Sequence, residues 1–169
     1  PAYVRFIDSN SGNLTFSANN VFIQGGAGNT FMGGNAATTA WINPKGVVNF
    51  NVNQDFIISG NSTTYIVNSP AHYFPSLPSP SVSPAKSNKT RVTIGRDFTI
   101  SSAFSDFKVA NDSGAVTFLV GRDLLMNGGF FDAQLNPSSV FIDSVVVDNN
   151  FTFSSASSSN YFKANGGAG

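Results

Sequence analysis

Acidic and amide side chains recur at one position of a five-residue phrase, which makes this position the first candidate for chemistry. The phrase occurs at residues 17–21, 52–56, 94–98, 120–124 and 147–151, and its first copy is the weakest. Its fourth residue is, in chain order, Asn20, Asp55, Asp97, Asp123 and Asn150. If the copies stack, the three Asp side chains form a column. Carboxylates in a column suit Ca²⁺ binding or the acid and base of a polysaccharide-cleaving enzyme.

The same position also has a structural interpretation. Asp and Asn side chains accept hydrogen bonds from backbone N–H groups and thereby cap bends. Asn keeps the acceptor without the charge, so its presence in the first and last copies favours capping. We therefore predict that all five residues cap bends. The third residue of two copies is Arg96 or Arg122, each beside the Asp of its own copy. A stripe of two arginines is a small cationic surface, but we expect these side chains to neutralise the Asp column in surface ion pairs.

Other sets of catalytic residues are poorly supported by the sequence. The chain has no Cys and no Glu, and its one histidine, His72, lies among loop-forming residues without the Gly-X-Ser-X-Gly phrase of a serine hydrolase. The glycines at 25–28 and 33–34 lack the Lys-Ser/Thr that follows a phosphate-binding loop. We expect no catalytic centre, no cofactor and no metal site.

Aromatic residues in or next to two insertions are the best candidates for a contact surface: Trp41, Tyr65, Tyr73 and Phe74. Exposed rings stack on sugars or anchor protein partners, although they can equally fold back to cover the core. Five Asn-X-Ser/Thr sequons permit N-glycosylation, at Asn13, Asn61, Asn88, Asn111 and Asn150. Their number is close to what chance gives in a chain so rich in Asn, Ser and Thr.

The residues around each phrase predict the elements that position it. Apolar residues alternate before and after the bend, which is typical of half-buried strands. One inward column is predicted to contain Phe56, Phe98, Leu124 and Phe151, and another Ile58, Ile100, Met126 and Phe153. Third stretches are expected at 104–109, 130–135 and 161–164. The last two spacings between the bend residues indicate a unit of about 26 residues, and insertions at 35–45 and 75–89 lengthen the first two.

Such units cannot each bury an apolar face alone, but stacked in parallel they bury a continuous one. We predict an all-β fold, a parallel β-solenoid over a single domain of residues 1–169. The alternative is an antiparallel β-sandwich in which the bends are hairpin turns. Hairpins favour Asn-Gly or Asp-Gly at the turn, whereas these bends contain Asn-Gln, Gly-Arg and Asp-Asn.

The phrases at 94–103 and 120–129 resemble the repeats of filamentous-haemagglutinin-like adhesins, in which Gly-(Gly/Arg/Asn)-Asp-Leu-Thr-Leu is followed by small residues. The resemblance covers the five phrases, and Phe often replaces Leu. It implies a right-handed β-helix that is secreted or lies at the cell surface and acts in adhesion or surface assembly.

The composition of the chain limits the classes of partner that we expect. Nine basic and nine acidic residues balance, so no polycationic surface for nucleic acid is expected, and no apolar run predicts a membrane span. The start at Pro1 and the glycine-rich end are expected of a mature or excised product. We expect a non-enzymatic structural or adhesive protein whose partner is a second copy, joined head to tail through exposed strand edges, or a cell-surface protein or glycan. The alternative is a polysaccharide-binding or polysaccharide-cleaving β-helix.

Overall fold

The protein, seen in a computed structural model, is built from β-strands. The structure describes residues 3–5, 14–24, 30–32, 47–60, 63–67, 89–103, 105–110, 115–133, 144–154 and 160–163. The strands are β1 Tyr3–Arg5, β2 Leu14–Ala18, β3 Val21–Gln24, β4 Thr30–Met32, β5 Val47–Val52, β6 Phe56–Ser59, β7 Thr63–Val67, β8 Lys89–Ile94, β9 Phe98–Ile100, β10 Asp106–Ala110, β11 Val116–Val120, β12 Leu124–Met126, β13 Phe130–Asp132, β14 Ser144–Val147, β15 Phe151–Phe153 and β16 Tyr161–Lys163.

The strands form parallel sheets to which the chain returns at every third strand. Sheet 1 has the order β14-β11-β8-β5-β2, sheet 2 the order β15-β12-β9-β6-β3, and sheet 3 the order β16-β13-β10-β7. Strand β4 lies beside β7 and pairs with β1. Every strand pair among the described residues is parallel. The predicted all-β, parallel arrangement is confirmed for the described strands, none of which pairs in the antiparallel order of the sandwich.

From β5 onward each layer of the stack supplies one strand to each sheet, in the order strand, bend, strand, turn and third strand; in the first layer the third strand, β4, pairs with β1 instead. The predicted third stretches 130–135 and 161–164 contain β13 and β16, and β10 overlaps the stretch 104–109 but ends at Ala110. The predicted alignment of the first phrase is wrong by one residue before its bend. Ala18, rather than Ser17, pairs with Val52, because the first bend has two residues where the second has three. The insertions expected at 35–45 and 75–89 lie outside the described residues, except that β8 begins at Lys89.

The core lies between the three sheets and is rich in phenylalanine. Four fully buried rings come from all three sheets, namely Phe98, Phe107, Phe118 and Phe131. Each of their six pairs has ring centroids 5.0–5.9 Å apart. Aromatic pairs at this distance contribute roughly 0.5–1.5 kcal/mol each beyond burial alone, so this cluster ties the sheets together.

The inward columns end differently from the prediction. Leu124 and Met126 are fully buried, but Phe151 and Phe153, the next members, are 50% and 40% exposed. The prediction that these two are buried is wrong, because β15 is the last strand of sheet 2 and no described strand lies beyond it.

Candidate functional site

The bend residues form a ladder of hydrogen bonds between coils. The backbone N–H of Asp97 donates to Oδ1 of Asp55 at 3.3 Å, and the N–H of Asp123 donates to Oδ1 of Asp97 at 3.3 Å. The ladder begins with the N–H of Asp55 on Asn20 at 3.2 Å and ends with the N–H of Asn150 on Asp123 at 3.1 Å. The partners are 35, 42, 26 and 27 residues apart. The side chains of Asn20, Asp55, Asp97 and Asp123 therefore accept N–H groups of the next coil and join the coils.

Two arginines bridge the same coils. Arg122 donates from Nε to Oδ1 of Asp97 at 2.7 Å, and its Nη2 contacts the other oxygen of that carboxylate. Arg96 Nη2 lies 3.2 Å from Oδ2 of Asp55. The expected neutralisation of the Asp column by the two arginines is confirmed. The main partner of each arginine belongs to the preceding coil, and Arg122 also lies 3.7 Å from Asp123 of its own bend.

These contacts alter the titration of the central pair. The hydrogen bond from Arg122 lowers the pKa of Asp97 below its ordinary value, helped by the N–H of Asp123 and opposed by partial burial. The same hydrogen bond raises the pKa of Arg122. Both effects favour the charged forms, so the pair stays ionised and the carboxylate is a poor general acid near neutral pH.

Glycine opens the two central bends because the coils approach closely there. A Cβ at Gly121 would lie 2.4 Å from the carbonyl oxygen of Gly95, and a Cβ at Gly95 would lie 2.1 Å from that of Asn53. Both distances are far below van der Waals contact. The Gly-Arg-Asp phrase therefore has a separate reason for each residue: close approach, bridging to the previous coil and acceptance from the next.

The last bend replaces the glycine and the arginine of this phrase by Asp148 and Asn149. Oδ1 of Asp123 consequently accepts three hydrogen bonds, from Nδ2 of Asn149 at 2.8 Å and from the N–H and Nδ2 of Asn150 at 3.1 and 3.0 Å. Amides thus satisfy the carboxylate where an arginine would stand. Among the described residues, no group of three or more His, Cys, Asp or Glu side chains is placed to hold a metal ion.

A second ladder follows the strands of sheet 2. The hydroxyl of Ser101 donates to the carbonyl of Ile58 at 3.3 Å, and that of Ser59 to the carbonyl of Ile23 at 3.4 Å. In the last coil Ser154 lies at the corresponding place, 3.1 Å from Oδ1 of Asn127. Polar groups after sheet 2 are therefore also used to hold the stack.

Among the described residues, four of the five exposed large hydrophobic side chains lie at the end of the stack formed by β14, β15 and β16, which we term the C-terminal face. Val146 is 45% exposed, and Tyr161 is 38% exposed. Together with Phe151 and Phe153 they give this face four exposed large hydrophobic residues. Val145 and Val147 point inward and pack against the end of the core. An apolar end with open strand edges is suited to contact with another chain.

The predicted contact aromatics are not assembled into a site by the structure. Trp41, Tyr73 and Phe74 lie outside the described residues, and Tyr65 lies in β7, where only its backbone is described. Asn13, Asn61, Asn88 and Asn111 also lie outside, as does His72. Asn150 is exposed at the last bend. No sequence pattern indicates the C-terminal face directly, because Phe151 and Phe153 repeat the pattern of buried residues.

The part of the chain that the structure describes contains no helix long and apolar enough to cross a membrane.

Comparison with protein-family models, with curated proteins and with solved structures finds no match to this chain.

Proposed function

We propose that this chain is a non-enzymatic structural or adhesive protein of the cell surface or extracellular space, which assembles through exposed β edges. One observation carries the proposal. The apolar column that is fully buried at Leu124 and Met126 continues into Phe151 and Phe153, which are exposed at the end of the stack. Covering such residues with a matching surface is worth roughly 1.5–3 kcal/mol per fully buried side chain.

The proposed architecture is a right-handed β-helix with coils of about 26 residues and insertions at 35–45 and 75–89. The resemblance to filamentous-haemagglutinin-like repeats supports this architecture and the extracellular location. Parallel stacking in three sheets and the Gly-Arg-Asp bends of the central coils agree with it. A rod of this kind acts through its shape and its ends, as a filament or surface-layer subunit, with a second copy or a cell-surface protein or glycan as partner.

The geometry disfavours the alternative, a polysaccharide-cleaving β-helix. Catalysis by paired carboxylates requires one to carry a proton and the other to face the substrate. Asp55 and Asp97 instead each hold an arginine and a backbone N–H of the next coil. Moving either one to reach a sugar would break contacts that hold the stack.

The test is the mass of the purified chain in sedimentation equilibrium over a wide concentration range. We expect the mass to rise with concentration. Phe153→Asp places a charge on the C-terminal face and should return the protein to a monomer. Phe22→Asp is the matched control, because Phe22 is 57% exposed on the outer side of β3 at the opposite end of the stack. A monomeric wild type at every concentration, or equal effects of both variants, would contradict the proposal.

A further inference from the structure

The two ends of the stack differ in how far their inward-facing apolar residues are buried. Val21 and Ile23 occupy the inward positions of β3, and both are buried although β3 is the last described strand at that side of sheet 2. Strand β4, which follows β3 in the chain, pairs with one further strand, β1. At the other end the equivalent residues, Phe151 and Phe153, are exposed. In the described part of the chain, therefore, one end presents an open apolar ladder and the other does not.

We propose that the C-terminal face binds the same face of a second copy across a two-fold axis and forms a closed dimer. This inference rests on the proposed function, since it specifies how the copies associate. A contact between identical faces requires one open surface, whereas head-to-tail growth requires two different ones. The end with exposed Phe151 and Phe153 meets the first requirement by itself. A two-fold contact closes, so it gives a dimer and no fibre, and it favours a dimeric surface protein over the filament.

The proposed two-fold axis passes through strand β14. Two edge strands related by a two-fold axis run antiparallel, and directly opposite residues then place their side chains on the same side of the sheet. With the axis at Val146, Val145 of one copy lies opposite Val147 of the other. Both residues face the core in the single chain, so this register continues the inner surface of sheet 1. Val146 meets its own copy on the outer side.

Charge supports this axis over one through β15. Asp148 lies on the bend directly after β14, and Lys163 ends β16 at the corner of the coil away from that bend. Both are exposed. An axis at β14 turns the bend of one copy toward that corner of the other, so Asp148 approaches Lys163 of the second copy twice in the dimer. An axis at β15 would place each Asp148 against the turn that follows β15. Opposite charges at the rim fix the register of such contacts.

The experiment uses cysteine, which the chain lacks. Opposite residues of antiparallel strands have Cα atoms about 4.5–5.5 Å apart, within the range of about 4.4–6.8 Å that a disulfide accepts. Val146→Cys should therefore form a disulfide-linked dimer rapidly under mild oxidation. Phe22→Cys, exposed at the other end, is the control for random collision. We expect Phe22→Cys to cross-link at least about tenfold more slowly than Val146→Cys, because only the thiols of Val146→Cys are held close together in the dimer, at a raised effective concentration.

A second experiment reverses the charges of Asp148 and Lys163. Asp148→Lys and Lys163→Asp should each raise the dissociation constant of the dimer roughly tenfold, and the two together should restore it. If sedimentation shows association but Val146→Cys does not cross-link, or if polymers larger than dimers form, the two-fold contact is wrong and the proposed function stands. If the chain stays monomeric at all concentrations, both are wrong.

Discussion

Replacing Phe98 by Ala tests the aromatic core. The ring is fully buried and lies 5.3 Å from the ring of Phe56, 5.0 Å from Phe107, 5.2 Å from Phe118 and 5.9 Å from Phe131, measured between centroids. Truncation of a buried Phe costs about 3–5 kcal/mol. Four neighbouring rings lose a partner here, so we expect a value near the upper end, about 4–5 kcal/mol. A domain of this size is stable by only about 5–15 kcal/mol.

Urea unfolding followed by far-ultraviolet circular dichroism measures the loss. Phe22→Ala is the matched control, since Phe22 faces outward from the same sheet and its removal should cost about 0.5–1 kcal/mol. Phe98→Leu should fall between the two, at about 1–2 kcal/mol, because Leu124 occupies the equivalent inward position one coil further on. Small and equal losses for Phe98→Ala and Phe22→Ala would refute the assignment of Phe98 to the core.

Four further predictions follow from single contacts. Thr90→Val should stabilise the protein by about 1 kcal/mol in urea unfolding. The buried Thr90 hydroxyl has no hydrogen-bond partner in the described part of the chain, and the residues paired with Thr90 in the neighbouring strands are valines. A loss of stability would contradict this prediction. Gly121→Ala should cost about 1–3 kcal/mol or more, because the added Cβ would clash with the backbone of Gly95 in the preceding coil. Asn53→Ala, at the equivalent position of another bend, should cost little. Similar losses for the two variants would refute the close approach at Gly121. The lowered pKa of Asp97 means that the ionised side chain stabilises the fold above its ordinary value of 3.8, and this stability is lost as the pH falls through the lowered value. The melting temperature of the wild type should therefore drop below about pH 4, and that of Asp97→Asn should drop less; equal drops would show that the carboxylate does not contribute. A screen of polysaccharides should show no cleavage, and cleavage that disappears in a folded Asp97→Asn variant would show that the carboxylates are catalytic.

Much of the fold was predictable because local chemistry and the repeat agree. Alternating apolar residues on both sides of each bend identify strands with one buried face, and stacking explains why a polar bend recurs between them. The shift at Ala18 was missed because the phrases were aligned on Asn20, after which the inward parity is the same for a bend of two residues and one of three. The alternation of Leu14, Phe16 and Ala18 before the bend was the signal that could have shown it.

The candidate site was predictable in its residues and less so in its contacts. The acceptor role of Asp97 follows from its residue type, but its donor is the next coil and its arginine comes from that coil as well. Sequence order places Arg96 next to Asp97, whereas the stack places Arg96 over Asp55. The exposure of Phe151 and Phe153 depends on which strand ends the sheet, which their own pattern does not record.

Amide hydrogen exchange, measured at low and at high protein concentration, tests the central claim most directly. The amides of β8 and β9 lie inside the stack and should be protected at both concentrations. Those of β14 and β15 lie at the C-terminal face, and their protection should increase when the concentration rises and the face is covered. Protection of β14 and β15 that is the same at both concentrations, while sedimentation shows association, would contradict assembly through this face.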